Sequence, residues 1–237
     1  MSDPQGTCQK HDNEAFKLRE LTATVAQFLE AVQKETSAPI EASQYEKLRP
    51  TIWYARKYVR GCLLRIGALG TSCFAELRRN NLASAALLSR SVIETSAMLT
   101  LFSRNLGKAA GNIEPQRLRT VVSSHYLGTK AFEVVGSAKA PHVTDALRAA
   151  KEKDDWIQPV YDMLSDVAHP NWAGTTQLLL DDMGTWRAEP RTNPEFALDL
   201  AANILLGLYS IRLALDASND IVRILNELSV STKTRGL

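Results

Sequence analysis

The stretch that decides the fold is LASAALLSRSVIETSAMLTLFSRN, residues 82–105 of a chain of 237 residues. Apolar side chains fall on opposite sides of a helix drawn over these residues, which predicts a helix surrounded by protein. Arg90 and Glu94 are the only charged residues between Arg79 and Arg104. Together with several serines and threonines they make the stretch too polar for the core of a bilayer. We therefore expect a buried bundle helix and no membrane insertion.

Helical periodicity covers most of the remaining chain. Residues 177–188 differ, because two short runs around Asp-Met-Gly predict a small β-hairpin or an ordered loop. We predict an all-α helix bundle around two long central helices, 82–105 and 194–228. A single helical domain is expected over residues 13–228, between a flexible N-terminus at 1–12 and a C-terminal tail at 229–237. The other predicted helices are residues 13–35, 45–79, 115–135, 141–153 and 156–169.

The composition is that of a globular protein, with 45% hydrophobic and 23% charged residues. The first residues lack a basic region followed by an apolar run, so no secretion signal is predicted. The cysteines, Cys8, Cys62 and Cys73, form neither a C-x-x-C pair nor an even set, which is typical of a reducing compartment. We therefore expect a soluble cytoplasmic protein.

Charge is spread unevenly along the chain. The formal net charge is only +2, but residues 44–130 carry 14 basic and 4 acidic side chains, a charge of +10. Such a segment would attract a polyanion or the acidic C-terminal half of the same chain. Four arginines could extend its basic surface if the fold brings them together: Arg78, Arg79, Arg117 and Arg119.

The start of this basic segment predicts a face for single-stranded RNA. Arginine neutralises phosphate, and aromatic rings can stack on unpaired bases. The alternative is a solvated helix face whose aromatic residues, which include Tyr54 and Tyr58, turn inward. The candidate nucleic-acid-binding residues are Arg49, Trp53, Arg56, Lys57 and Arg60.

Arg90 and Glu94 are four residues apart and therefore lie on the same helix face. Burying either charge without a partner would cost several kcal/mol, so the two must pair with each other or with further polar groups. One interpretation is a buried ion pair that fixes the register between helices. The other is an anchor for a catalytic or ligand-binding cluster. Arg212 and Asp216 form a similarly spaced pair near the C-terminus.

A second polar face lies in YDMLSDVAHP, residues 161–170, where Tyr161, Ser165 and His169 recur every four positions. A histidine titrates near neutrality and suits general acid–base chemistry. The alternative is a histidine that caps the helix C-terminus through local backbone contacts. A metal site at Asp162, Asp166 and His169 is a weaker alternative, because metal sites in bundles usually draw ligands from facing helices.

The helix LLSRSVIETSAMLTLF (87–102), followed about seventy residues later by YDMLSDVAHP, resembles the HEPN-like superfamily. In particular it is similar to bacterial helical families in which an R-x3-E helix precedes a Y-x2-L-S-x3-H-P segment. The resemblance covers roughly residues 45–228. It implies a helix bundle that often dimerises. In many members it also implies a metal-independent ribonuclease that acts as a toxin, in phage defence or in RNA processing.

The usual HEPN signature is R-x4-6-H, with a polar residue after the arginine. His169 matches the histidine, and Ser165 could take the polar position. The positions of the arginine hold Asp162, Met163 and Leu164 instead. We hypothesise that Arg90 supplies the cation from the adjacent helix. His169 would then act as acid or base on the ribose 2′-hydroxyl, and Arg90 would stabilise the phosphorane charge.

Two hypotheses of function stay open at this point. The first is an RNA-directed HEPN-like protein, a ribonuclease or toxin in bacterial defence or stress response. The second is a non-catalytic helical module that binds a protein partner or senses a small ligand. No cofactor or metal is predicted, and the resemblance implies a homodimer. The candidate catalytic residues are Arg90, Glu94, Tyr161, Ser165 and His169.

Overall fold

The computed structural model describes residues 4–37, 49–111, 114–128, 139–169 and 194–234. Within these ranges the chain is an all-α helix bundle, which confirms the predicted fold class. The predicted hairpin at 177–188 lies outside the described residues. The helices are α1 (Pro4–Ser37), α2 (Arg49–Arg78), α3 (Leu82–Ala110), α4 (Pro115–Tyr126), α5 (Val143–Lys151), α6 (Ile157–Ala168), α7 (Pro194–Tyr209) and α8 (Ile211–Thr234).

Helix α3 is the centre of the bundle. It packs against α2, α4, α5, α6, α7 and α8, which explains why apolar residues occur on all its sides. Phe102, Ile93 and Leu99 are completely buried. By length and composition α3 and Pro194–Val230 could each cross a membrane, but 67% of the most apolar window of α3 is buried inside the protein. That burial is expected of the core helix of a bundle.

The start of α3 follows the local signals in the sequence. Asn80 adopts a left-handed conformation with φ of 57°, which asparagine tolerates better than most residues. The side chain of Asn81 then accepts a hydrogen bond from Ser84 N at 3.4 Å, as an N-cap residue does. The same side chain donates to Glu76 at 2.7 Å, so the tight turn also ties α3 to the end of α2.

The glycines of α2 do not interrupt that helix, although each lowers helix propensity. A Cβ at Gly70 would lie 2.6 Å from the side chain of Leu29, and one at Gly67 would lie 3.4 Å from Val32. The missing side chains therefore let α1 approach α2 closely. Packing outweighs propensity here.

The predicted helix 194–228 is divided at Ser210 into α7 and α8. The Ser210 N–H donates to Gly207 O, a three-residue step tighter than that of an α-helix. The Ser210 hydroxyl lies 3.4 Å from that of Ser96 in α3. Nearly two turns earlier, Ser89 donates to Ile204 O at 2.8 Å. These buried polar contacts with α3 lie on either side of Gly207, close to the break between α7 and α8.

Several other boundaries differ from the predicted ones. Helix α1 begins at Pro4 and α8 ends at Thr234, so residues 4–12 and 229–234 are helical. Helix α4 ends at Tyr126, whereas we predicted that it continues to residue 135. Residues 129–135 of that predicted helix lie outside the described residues.

Candidate functional site

Arg90 and Glu94 of α3 meet Tyr161 of α6 in one polar cluster. Arg90 donates from Nε to Glu94 Oε1 at 3.1 Å and from Nη2 to the Tyr161 hydroxyl at 3.3 Å. Tyr161 in turn donates its own proton to Glu94 Oε1 at 3.0 Å. The guanidinium also lies over the Tyr161 ring, 5.3 Å from its centre. Three side chains from two helices therefore form a closed ring of hydrogen bonds, which we call the Arg–Glu–Tyr cluster.

The Arg–Glu–Tyr cluster is only partly buried, with 26% of the Arg90 side chain and 32% of the Glu94 side chain exposed. Burial by itself lowers the pKa of Arg90. The hydrogen bond to Tyr161, together with the hydrogen bond to Glu94 and its negative charge, outweighs that effect and raises the pKa. The guanidinium is thus held charged beside a carboxylate that offsets its charge. Arg90 held in this way is better suited to link α3 to α6 through Tyr161 than to bind a phosphate group.

Ser165 follows Tyr161 by one turn of α6. Its hydroxyl oxygen is buried and, within the described part of the chain, has no hydrogen-bond partner. A buried hydroxyl without a partner costs roughly 1–3 kcal/mol, so such groups are uncommon.

His169 takes no part in the hydrogen bonds of the Arg–Glu–Tyr cluster. Its backbone N–H caps α6 by donating to Ser165 O at 3.0 Å, while its side chain is exposed. No hydrogen bond joins its ring to Arg90, Glu94 or Tyr161. The cluster therefore contains three of the five candidate catalytic residues, and neither Ser165 nor His169 is hydrogen-bonded through its side chain to it. Within the described ranges, no group of three His, Cys, Asp or Glu residues could hold a metal.

The predicted basic face of α2 is half-buried, and several of its side chains already contact other residues of the protein. Lys57 Nζ lies 3.6 Å from the centre of the Trp53 ring, a cation–π contact. Arg60 donates to Thr36 O of α1 at 2.6 Å, and Arg56 donates to Asn226 of α8 at 3.3 Å. Two of the arginines therefore hold α2 to neighbouring helices. The side chain of Arg49 lies outside the described residues.

The aromatic residues of this segment point in two directions. Tyr58 turns inward and packs edge-on against Phe102 of α3, with ring centres 5.0 Å apart. Tyr54 turns outward, with 37% of its surface exposed, and lies 5.2 Å from the Tyr126 ring of α4. Sequence reasoning missed Tyr126. The signal was its position seven residues after Arg119, which puts both on one face of α4.

Beneath α4 lies a buried aromatic cluster that includes a histidine. His125 is only 7% exposed and packs between Phe102 and Tyr58. Its Nδ1 lies 3.5 Å from the Tyr58 hydroxyl, and its Nε2 has no hydrogen-bond partner among the described residues. Burial lowers the pKa of His125 to about 4 and raises the pKa of the adjacent Cys62 to about 11. Both groups are therefore uncharged near neutral pH.

Arg212 does not pair with Asp216 in the way its spacing suggests. It donates to Asp154, in the turn between α5 and α6, and lies over the ring of Tyr209 at 5.4 Å. The ion pair therefore joins α8 to a different part of the chain, at the point where α7 and α8 meet. Asp216 is exposed and lines a cavity further along α8.

That cavity, of about 580 Å³, lies between α3, α5 and α8. Arg104 on its wall donates to both carboxylate oxygens of Glu152, at 3.0 and 2.9 Å. The Nε of Arg104 is buried with no partner in the described ranges. Lys108 and Lys153 also line the cavity.

Comparison with protein-family models, with curated proteins and with solved structures finds no match to this chain. The HEPN-like resemblance therefore rests on the two sequence motifs and stays a prediction.

Proposed function

We propose that the chain is a HEPN-like RNA-binding protein of the cytoplasm. The observation that carries the proposal is the packing of α4 on α2, which joins two parts of the basic segment in one surface. Tyr54 of α2 meets the face of α4 that carries Arg119 and Tyr126, and the Trp53–Lys57 pair lies next to Tyr54 on α2. Cations interleaved with aromatic rings are the chemistry that binds single-stranded nucleic acid.

The charges of α4 are available to such a ligand. Arg117 and Arg119 are exposed, and neither forms an ion pair or side-chain hydrogen bond with another described residue. Arg56 and Arg60, in contrast, already contact other helices. The proposal therefore moves the main phosphate contacts from α2, where the sequence alone suggested them, to α4.

RNA cleavage would depend on His169, whose exposed ring is free to reach a substrate. The geometry does not favour Arg90 as the cation that stabilises a phosphorane, because Glu94 already offsets its charge. We therefore propose binding as the primary activity, and expect His169→Ala to abolish any cleavage of RNA while binding persists. The homodimer and the role in defence that the resemblance implies stay proposals as well.

Salt-dependent RNA binding tests this function. Binding of tRNA and of single-stranded oligonucleotides is measured at several salt concentrations for the wild type and the Arg117→Ala/Arg119→Ala variant. Each lost phosphate contact reduces the magnitude of the negative slope of log K against log salt by about 0.7 for single strands. Loss of both contacts should therefore reduce the magnitude of the slope by about 1.4 in the variant.

The matched control is Arg148→Ala/Lys151→Ala. It removes the same charge from exposed positions on α5, and its binding should have the same salt slope as that of the wild type. Equal slopes for both variants would show that only net charge matters and would remove the α4 surface from the proposal. Absence of any RNA binding by the wild type would refute the function itself.

A second candidate function, a small-ligand module, is favoured by the cavity between α3, α5 and α8. Its size is that of a ligand pocket, and Arg104, Lys108 and Lys153 on its wall supply basic groups. A thermal-shift screen of small carboxylates and phosphates, repeated with Arg104→Lys, tests this candidate. A shift that is lost in the variant supports it, and no shift with any compound refutes it.

A further inference from the structure

A small cleft opens between the start of α2 and the second half of α4. Its volume is about 270 Å³, and its walls include Pro50 and Tyr54 from α2 and Arg119, Val122 and Tyr126 from α4. Proline, valine and two aromatic rings make the walls mainly apolar. The opening is large enough for one planar ring and too small for a folded partner.

The two tyrosine rings form one side of the cleft. Their centres are 5.2 Å apart and their planes differ by 36°, so they pack against each other at a tilt. Trp53 contacts Tyr54 edge-on at 5.0 Å, which helps to fix the orientation of that ring. Because 37% of Tyr54 remains exposed, an apolar aromatic surface faces solvent. A planar base could stack there without moving the helices.

Arg119 supplies the charge that a nucleotide requires. It is exposed on the same face of α4 as Tyr126 and forms no ion pair with any described residue. A guanidinium at the rim of an aromatic cleft favours a ligand with a flat apolar part and an anionic part. The net charge of +10 over residues 44–130 favours an anionic chain over a neutral or basic peptide.

We infer that this cleft binds one unpaired base of single-stranded RNA, with the base stacked on Tyr54 and Tyr126 and its phosphate on Arg119. The inference rests on the proposed RNA-binding function and names a subsite of it. Unpaired bases are required because the bases of a duplex are stacked on each other and cannot enter. The protein therefore prefers single strands over duplexes of the same length.

Replacement of the rings tests the subsite. Binding of a single-stranded RNA oligonucleotide is measured for Tyr54→Ala and Tyr126→Ala, with Tyr54→Phe and Tyr126→Phe as matched controls. Loss of one stacked base should weaken binding by about 5- to 100-fold in the alanine variants, whereas phenylalanine retains a stacking face and should bind within about 3-fold of the wild type. Thermal unfolding of each variant identifies any loss of fold.

A second measurement changes the RNA as well as the protein. Oligonucleotides in which one base at a time is replaced by an abasic sugar are titrated against the wild type and Tyr126→Ala. At the position that enters the cleft, the abasic sugar should weaken binding to the wild type by the factor that the Tyr126→Ala substitution causes. It should leave binding to Tyr126→Ala nearly unchanged, because that variant has already lost the stacking contact.

The results separate this inference from the function on which it rests. Salt-dependent binding with equal affinities for the alanine and phenylalanine variants would overturn the cleft and leave RNA binding on α4 intact. Equal binding of single strands and duplexes would overturn the cleft in the same way. No RNA binding by the wild type would remove the function and the cleft together.

Discussion

The buried His125 should make the protein lose stability in mild acid. Its folded-state pKa of about 4 lies below the ordinary value of 6.5, because burial disfavours the charged ring. Between these values the unfolded chain binds a proton that the folded chain does not. The contribution of uncharged His125 to the free energy of unfolding is therefore complete above pH 6.5 and is lost as the pH falls towards 4. At about 1.4 kcal/mol per pH unit, the total is about 3 kcal/mol.

Urea unfolding at pH 7.5, 6, 5 and 4.5 measures this loss for the wild type and for His125→Phe. Phenylalanine keeps an aromatic ring beside Phe102 and Tyr58 but has no titrating group. Carboxylates titrate in both proteins, so the difference between their curves isolates the histidine. The wild type should lose about 2–3 kcal/mol more than the variant between pH 7.5 and 4.5. Parallel curves would refute the reasoning, because they would mean that His125 is as easily protonated in the fold as outside it.

Four further predictions concern packing, the Arg–Glu–Tyr cluster and His169. Gly207→Ala places a Cβ 2.2 Å from the Ser89 hydroxyl and should destabilise the protein by roughly 1–3 kcal/mol in urea unfolding. Gly61→Ala, whose Cβ would meet no atom within 4 Å, should instead stabilise it by about 0.5–1 kcal/mol. Tyr161→Phe removes both hydrogen bonds of the hydroxyl and should cost about 1–2 kcal/mol by the same measurement. His169→Ala should shift the melting temperature by less than about 2 °C, because the side chain is exposed. A larger shift would indicate a structural role for that ring.

The central helix of the fold could be predicted because its own apolar pattern is distinctive. An apolar pattern on opposite sides of residues 82–105 requires neighbours all around, and α3 has them. The break at Ser210 could not be predicted, because no proline marks it and Gly207, three residues earlier, is no stronger a signal than the glycines that α2 accommodates without a break. Ser210 meets Ser96 of α3, a contact between residues far apart in the sequence that periodicity does not reveal.

In the candidate site, too, some contacts could be predicted from the sequence and others could not. The spacing of Arg90 and Glu94 predicted their pairing, because it follows from helix geometry alone. Their contact with Tyr161 depends on how α6 crosses α3, and the capping position of His169 depends on where α6 ends. Arg212 and Asp216 have the same spacing but do not form an ion pair, because Asp154 in the turn between α5 and α6 pairs with Arg212 instead.

The central position of α3 has a consequence for how the chain is made. Two of its most extensive partners are α2, which precedes it, and α8, which begins more than a hundred residues later at Ile211. A ribosome-bound chain therefore carries an apolar helix with one side uncovered until α8 leaves the exit tunnel. Fragments that stop before α8 should aggregate or recruit chaperones.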